Sequence, residues 1–513
     1  MKPIRLFLLA ALTLAAVPSV AAASKTQEST FQDDPLLVFA PQAKMEATLN
    51  ELKAIGVDRI RVGLYWNVVA PASTSPQKPN FDASDPAAYG SGWDRYDRLI
   101  VAAKQRGIFI NLNPSSPLPR WGSTAVSPRS DVQKTYSPNA DEFGKFVAAA
   151  GRRYSGSFQG LPRVNYWSIY NEPNQAGWLT PQWTGSVERS SVIYRTLVRT
   201  SYQALSATGH GADTILVGET APKGLKRRKG LTMSIDPLRF IRTLYCVDSK
   251  LRRLKGTAAS ARGCPTSAAQ FVADNPALFK AAGFAHHPYE LLLAPTRKPG
   301  SKDWVTIANL PVLSRALRRI YSRYSQKRQT ARGVPLYLTE YGYQTRPDPL
   351  GLPFARQASY ISQAEQISYR NPLVRTMGQF LLVDDRPTPG IANKRVAYRT
   401  FQSGLKRLNG KRKPAYRAYV TPLFLSKTRF RGAGSTSVFG LLRPASSNAK
   451  VKVQIQFRAR GSKAWRTRKT PTVGGPRHYL RTRLRVTRTG AVRLRWKNGT
   501  RHVISRSVSV SKR

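Results

Sequence analysis

The chain has 513 residues, of which 41% are hydrophobic, and its 83 Lys and Arg against 27 Asp and Glu leave a formal net charge of +56. This length exceeds one ordinary domain and predicts a large domain followed by a smaller module. After the first 23 residues we find no stretch of about 18 uncharged apolar residues, which excludes a membrane-spanning helix from the expected fold.

The N-terminus has the pattern of an export signal. Residues 1–5 carry two positive charges, residues 6–17 are apolar, and small residues follow up to Ala23. This order is typical of a secretory signal peptide, and the apolar run is too short to span a bilayer. We therefore expect residues 1–23 to be removed and the mature chain to be secreted or cell-wall-associated, outside the cytoplasm.

Residues 24–420 alternate short apolar segments with amphipathic helical ones. Such alternation is typical of repeated βα units around a parallel sheet. Eight units predict an α/β fold, a (β/α)8 TIM barrel, with its functional groups at the C-terminal ends of the strands. The predicted strands are residues 36–40, 59–65, 109–113, 164–170, 214–218, 283–287, 336–340 and 376–383.

Two cysteines, Cys246 and Cys264, lie between the fifth and sixth predicted strands. An even number of nearby cysteines in an oxidising compartment favours a disulfide. We expect this pair to be bonded, with two unpaired thiols as the alternative.

Residues 421–513 differ in pattern and charge from the rest. Apolar and polar residues alternate along 451–458 and 492–497, and Asn498-Gly499 supplies a hairpin turn, which predicts a small antiparallel β-sandwich. This domain holds 24 Lys and Arg and no Asp or Glu. Such a field attracts polyanions, so we expect an anionic wall or matrix polymer as a partner. The alternative is a solvated basic face, and the absence of a nucleic-acid motif argues against a specific nucleic-acid partner.

Two glutamates end predicted strands of the barrel. Asn171-Glu172-Pro173 ends the fourth strand and Thr339-Glu340-Tyr341-Gly342 ends the seventh. Strand ends that face one barrel mouth can bring two carboxyls to the separation of about 5 to 5.5 Å that retaining glycosidases use. The pair therefore predicts glycoside chemistry.

With His286-His287-Pro288-Tyr289 on the sixth strand, this arrangement resembles the cellulase-like clan of (β/α)8 retaining glycosidases, including glycoside hydrolase families five and thirty-nine. The resemblance covers essentially the whole barrel region. It implies Glu172 as the acid/base and Glu340 as the nucleophile. Asn171 matches the residue that binds the sugar 2-hydroxyl, and Arg61 the arginine that keeps the nucleophile charged. His287 and Tyr289 match the pair on strand six, with the tyrosine hydroxyl bound to Glu340.

The chain departs from these families at strand eight, which lacks the tryptophan that several of them use as a sugar platform. Phe380 or the pair Asp384 and Asp385 are the local substitutes. Because Trp66 and Trp121 follow strands two and three, we expect them to bind sugar rings; the alternative is that they pack a loop.

No metal site and no cofactor are expected, since the other three histidines lie far from His286 and His287 in the chain and no Cys or carboxylate stands beside them at ligand spacing. The sequence thus predicts a secreted retaining glycoside hydrolase that cleaves O-glycosidic, β-linked bonds of a poly- or oligosaccharide. The alternative is a non-catalytic carbohydrate-binding or wall-associated protein on the same barrel.

Overall fold

The computed structural model describes residues 23–225, 229–445 and 449–512. The predicted signal peptide lies outside these residues except for its last position. Among the helices of the described segments, none is long and apolar enough to cross a membrane.

Eight parallel strands form a closed barrel in chain order, with the last strand pairing the first. The predicted barrel is confirmed. Its strands are β1 (Glu28–Gln32), β2 (Arg59–Tyr65), β3 (Phe109–Ser115), β4 (Tyr166–Ser168), β5 (Thr214–Thr220), β6 (Gly283–His286), β7 (Leu336–Leu338) and β8 (Val374–Phe380).

The prediction of the first strand at residues 36–40 is wrong. Helix α1 (Asp34–Leu37) includes residues 36 and 37, residues 38–40 form a turn, and the Asp33 side chain caps the helix by accepting from the Leu36 amide. The true strand, β1, has the sequence Glu-Ser-Thr-Phe-Gln and is mostly buried. Hydrophobic patterning misses a strand that carries polar side chains into the barrel.

Helices surround the barrel, as the amphipathic segments predict. α5 shows why: Asn139 caps its N-terminus, acidic residues fill its first turn and arginines its last, and Phe143 and Phe146 are buried on one face. The other α-helices are α2 (Gln42–Ala54), α3 (Trp66–Val69), α4 (Asp94–Gln105), α6 (Arg189–Leu205), α7 (Pro237–Leu244), α8 (Gly256–Ser260), α9 (Ala268–Asp274), α10 (Ala277–Lys280), α11 (Leu310–Arg323), α12 (Phe354–Arg370), α13 (Lys394–Ala397) and α14 (Pro414–Val420), with α5 at Ala140–Arg153.

The segment between β5 and β6 contains α7 to α10 and a disulfide between Cys246 and Cys264, as predicted. Arg195 of α6 lies against both sulfur atoms. The bridge is buried and ties this excursion together next to α6.

The C-terminal part forms two facing sheets, and the predicted β-sandwich is confirmed. Their pairing is antiparallel except between β10 and β18, and alternate residues such as Val453, Ile455 and Leu494 fill the core between them. The strands are β9 (Leu423–Leu425), β10 (Arg429–Phe430), β11 (Gly434–Leu441), β12 (Val451–Ala459), β13 (Arg466–Lys469), β14 (Thr472–Val473), β15 (Tyr479–Val486), β16 (Gly490–Asn498), β17 (Arg501–Ile504) and β18 (Val508–Lys512).

The sandwich packs against α12 and the N-terminal ends of β1 and β2. Arg443 forms a buried ion pair with Glu365 of α12, and Arg477 pairs with Asp58 just before β2. Functional groups at the C-terminal strand ends therefore lie at the opposite end of the barrel from the sandwich.

Candidate active site

Glu172 and Glu340 follow the C-terminal ends of β4 and β7 and meet at the barrel mouth. One oxygen of each and one nitrogen of His287 all lie within 4.8 Å of one another. The backbone of Glu172 has a φ of 35°, and its amide donates to the Glu219 carbonyl at 3.0 Å. A left-handed conformation at a non-glycine residue is costly and is often found at functional sites.

Glu340 is held by several donors. Arg61 Nη1 donates to Oε1 at 2.7 Å, and the Tyr289 hydroxyl donates to Oε2 at 3.0 Å. His287 Nδ1 lies 3.6 Å from the same Oε2 atom. These contacts favour an ionised carboxylate.

Glu172 has a different environment. Its side chain is 18% exposed, against 9% for Glu340, and its Oε1 accepts from His287 Nδ1 at 2.8 Å. The two carboxyl groups thus differ both in exposure and in the donors around them.

Asn171 and Asn113 orient Arg61. The Arg61 Nη2 atom donates to Asn171 Oδ1 at 2.7 Å and to Asn113 Oδ1 at 3.1 Å, while Nη1 also donates to Gln32. Because the Asn171 oxygen accepts from Arg61, the amide NH2 is the part of that side chain left to donate to another group.

Glu219, at the end of β5, was missed by the sequence analysis. It is fully buried, and its Oε2 accepts from His287 Nε2 at 2.7 Å and from the Thr339 hydroxyl at 2.6 Å. The signal was available, because an acidic residue ends an otherwise apolar strand, as at Glu172 and Glu340. A register shift between β5 and β6 begins after Val217 and directs this side chain into the centre.

Burial and charge set the protonation of this centre. Burial lowers the pKa of His287, but the surrounding carboxyls, Glu340 first, outweigh that effect and raise it to about 10. Burial raises the pKa of Glu219, but Arg61 and His287 outweigh it and lower the value to about 2. For Glu340, burial raises the pKa above its usual value, and the opposing effects of His287 and Arg61 are smaller.

The net charge of the five ionisable groups in the centre depends on one proton. Arg61 and His287 are cations and Glu219 is an anion. If Glu172 and Glu340 share one proton, the five groups are neutral together.

A metal at this cluster would need the His287 lone pair. Glu172, His287 and Glu340 have the spacing of a ligand group, which their positions in the sequence do not suggest. Because Glu340, Glu172 and Glu219 raise the pKa of His287 to about 10, both of its ring nitrogens are protonated near neutral pH, and they face Glu172 and Glu219. The neighbouring His286 is bound to Thr220 and to the Val305 carbonyl instead.

The structure corrects the expectation that Trp66 is a sugar platform. Its ring is fully buried and packs on Trp121, Phe143 and Phe146. Trp121 is 6% exposed and its indole donates to the Pro71 carbonyl. Both tryptophans follow a strand, and the sequence therefore placed them at the mouth of the barrel. In the structure, Trp66 packs against α5 and faces away from the opening.

The acidic pair after β8 is also structural. Asp384 is buried and bound to Lys413 at 2.6 Å, and Asp385 accepts from the Phe401 amide. Phe380 packs edge-on against Phe401. A different aromatic row stands at the mouth, where the Tyr65 ring stacks between Phe39 and Trp178.

Comparison with known proteins gives one family. The model of Cellulase (glycosyl hydrolase family 5) matches residues 21–369, which include β1 to β7 and both glutamates. No curated protein matches the sequence.

Several solved structures are similar at low identity. A family 39 glycoside hydrolase from the gut symbiont Bacteroides cellulosilyticus WH2 is 14% identical, with a TM-score of 0.49 over 90% of this chain and 81% of that one. The GH39 enzyme from Xanthomonas axonopodis pv. citri is 14% identical, with a TM-score of 0.48 over 91% and 93%. GH5_18 from Streptomyces cattleya, in complex with GlcNAc, is 14% identical, with a TM-score of 0.46 over 78% and 79%.

Proposed function

The chain belongs to the cellulase family, glycosyl hydrolase family 5, and from that premise we propose that it is a secreted, retaining glycoside hydrolase acting on β-linked poly- or oligosaccharides. The observation that carries this proposal is the close approach of Glu172 and Glu340, whose nearest oxygens lie within 4.8 Å. Retaining enzymes hold their carboxyls about 5 to 5.5 Å apart, whereas inverting enzymes leave about 6.5 to 9.5 Å for a water molecule.

In the first step, Glu340 attacks the anomeric carbon and Glu172 protonates the departing oxygen. The C–O bond to the leaving group breaks as the ester bond to Glu340 forms. Arg61 and Tyr289 support the attacking carboxylate until it becomes a neutral ester. The amide of Asn171 donates to the sugar 2-hydroxyl, where a hydrogen bond strengthens in the transition state.

In the second step, Glu172 removes a proton from water, and the resulting nucleophile attacks the same carbon. The ester bond breaks, Glu340 is ionised again, and Glu172 is again protonated. Two displacements on opposite faces leave the anomeric configuration unchanged. The cycle consumes one water molecule and needs no cofactor.

The test is a screen of purified mature protein on aryl β-glycosides and on β-glucan, xylan and mannan, with Glu340→Ala as control. We expect turnover by the wild type, with the anomer retained in the NMR spectrum of the first product, and none by a folded Glu340→Ala variant. Turnover by that variant, or inversion of the anomer, would contradict the proposal.

Glu172 can be tested separately through the leaving group. With Glu172→Ala, we expect hydrolysis of an unactivated aryl glycoside to fall by about 100- to 10,000-fold. A dinitrophenyl glycoside needs no protonation to depart, so its first step should be far less affected. Equal losses on both substrates would assign the acid to another residue.

Export is supported by the disulfide, which is a bond of oxidising compartments. We propose that residues 1–23 are a cleaved signal peptide, 24–420 the catalytic domain and 421–513 a basic domain. N-terminal sequencing of protein from the culture medium should begin near residue 24. A start at Met1 in exported protein would contradict cleavage.

The basic domain supports a second proposal, adhesion to an anionic wall or matrix polysaccharide. Arginines of this domain that face the barrel find carboxylates there, as in Arg443–Glu365 and Arg477–Asp58. On the sheet that contains β12 and β16, Arg458 and Arg493 instead lie over the Trp465 ring, at 4.9 and 4.1 Å from its centre. Their own domain contains no Asp or Glu, so that face is complementary to an acidic polymer.

Adhesion can be measured with the full chain on polygalacturonate and on dextran at several salt concentrations. We expect salt-sensitive binding to the acidic polymer only, lost in R458Q/R493Q/R495Q. The triple variant R481Q/R483Q/R485Q removes the same charge from β15 and is the matched control. If the two triple variants lose binding equally, net charge alone explains the adhesion. Tighter binding to duplex DNA than to polygalacturonate would contradict a polysaccharide partner.

A further inference from the structure

We propose that Glu219 is a positioning residue which holds His287 as an imidazolium, so that His287 donates to Glu172 throughout the catalytic cycle. This inference rests on the proposed retaining mechanism. Glu219 is not one of the two proposed catalytic glutamates, Glu172 and Glu340. Its side chain binds His287 and Thr339 instead.

The geometry around Glu219 is specific. Besides His287 and Thr339, Glu219 is approached by Arg61, whose Nε and Nη2 atoms lie 3.4 and 3.3 Å from its oxygens. A fully buried carboxylate is costly unless charge-assisted hydrogen bonds compensate for the lost water. Two cations and a hydroxyl meet that requirement here.

The backbone at Glu219 is strained to make these contacts. Its φ is 43°, and Gly218 before it has a φ of 110°. A Cβ at Gly218 would lie 2.6 Å from the Ala285 carbonyl oxygen, so that position accepts only glycine without rearrangement. Strained backbone of this kind clusters at functional sites, which supports a role for the side chain that it directs.

Glu219 differs from the other acids near His287 in one respect, which is that its charge stays constant. Glu340 loses its negative charge when it becomes an ester, and Glu172 loses and regains a proton in each cycle. The pair keeps one negative charge between them, but that charge lies on Glu340 in the free enzyme and on Glu172 in the glycosyl-enzyme, so neither group is a fixed anionic partner of His287. Glu219 remains an anion, so His287 keeps both of its N–H donors.

Several charged or titratable groups face His287, and the test must separate them. Glu172 binds its Nδ1, Glu219 binds its Nε2 and Glu340 lies 3.6 Å away. The Tyr289 ring is perpendicular to the imidazole, Arg61 acts through Glu219 and Glu340, and His286 precedes it in the chain. A change of Glu219 alone leaves all the others in place.

The direction of the effect follows from charge. Glu340 first, and then the hydrogen bonds to Glu172 and Glu219, raise the pKa of His287 to about 10, so Glu219 is one of the groups that favour the charged form. Glu219→Gln removes the anion and keeps the shape, so the pKa of His287 should fall by at least about one unit. The basic limb of the pH profile of kcat/KM should then move to lower pH.

The experiment is an NMR titration of the mature protein labelled with 15N in histidine. The chain has five histidines, and His287→Gln identifies the signal of interest. We expect His287 to remain protonated at pH 8 in the wild type and to titrate at lower pH in Glu219→Gln. Thr339→Val removes another bond to Glu219 without changing charge, and Glu219→Asp restores the charge, so both should keep the imidazolium.

The titration of His287 decides the inference, and activity serves as a second readout. An unchanged His287 titration in Glu219→Gln, or an equal shift in Thr339→Val, overturns the inference. If the wild type is inactive on every substrate while His287 titrates as expected, the proposed reaction fails and the charge relationship stands. If Glu219→Gln loses activity without moving the basic limb, Glu219 supports the fold of the centre through Arg61 only.

Discussion

Arg61 and Glu340 stand 279 positions apart in the chain, yet Arg61 Nη1 donates a hydrogen bond to Glu340 Oε1 at 2.7 Å. The same guanidinium group reaches Gln32, Asn113 and Asn171 through its other N–H groups. A planar fork of donors is what arginine provides and lysine lacks. Arg61 therefore orients the centre as well as charging it.

Replacement of Arg61 by Lys should show that the arginine orients the centre as well as charging it. The charge remains, but at least two hydrogen bonds to polar or charged groups are lost, each contributing about 1.5 to 3 kcal/mol. We expect kcat/KM to fall by more than about 100-fold. Arg59→Lys changes the same residue type on the same strand at the other end of the barrel, and should leave the kinetics of the folded enzyme nearly unchanged. Similar losses in the two variants would argue against an orienting role.

The hydroxyl of Tyr289 gives a second prediction. Tyr289→Phe removes its bond to Glu340 and should lower kcat/KM by about 10- to 100-fold, the equivalent of one hydrogen bond to a charged group. Tyr341→Phe is matched, because this buried tyrosine is adjacent in the chain to Glu340 but donates to Tyr343. A loss in Tyr341→Phe as large as in Tyr289→Phe would point to general disturbance of the fold.

His287 also makes stability depend on pH in a direction that can be worked out. Its pKa is raised in the folded state, from 6.5 to about 10, so the native protein binds this proton more tightly than the unfolded chain. The stabilisation is complete below pH 6.5 and is lost as the pH rises through about 10. The difference in free energy of unfolding between the wild type and His287→Gln should therefore narrow from pH 6 to pH 10 in denaturant titrations. A constant or widening difference would contradict the assignment.

The Cys246–Cys264 bond closes a loop with a sequence separation of 18. A loop of that size stabilises the native state by about 3 kcal/mol through the entropy of the unfolded chain. Reduction should lower the melting temperature of the wild type, while the variant C246S/C264S should start lower and not respond to reductant. Identical melting curves for the oxidised and reduced wild type would show that the bridge adds no stability.

The junction between barrel and sandwich depends on the buried pair Arg443–Glu365. Removal of one partner leaves an uncompensated buried charge, so Glu365→Gln should lower the free energy of unfolding by about 3 to 5 kcal/mol. The pair Arg477–Asp58 is about one-quarter exposed, and Arg477→Ala should cost about 1 kcal/mol or less. The double variant R443M/E365Q should be more stable than Glu365→Gln alone, which chemical denaturation can measure.

Much of this architecture was accessible from the sequence because periodicity is local. The alternation of strands and helices predicted the barrel, and the period of two along residues 451–458 predicted the sandwich. The rule that polar residues at strand ends share one mouth predicted that Glu172 and Glu340 would be neighbours, and the resemblance to the family added Arg61 and His287. The structure brings these four together.

What the sequence could not decide depends on register and packing. Whether Trp66 faces the mouth or the helical layer depends on its contact with Phe146 of α5, and no local pattern encodes a contact across 80 residues. The polar strand β1 is recognisable only when the barrel closes on it. The side chain of Glu219 points inward because the register between β5 and β6 shifts after Val217. The charge network around His287 therefore exists only in the closed barrel, where this carboxylate of β5 and the histidine that follows β6 are both buried.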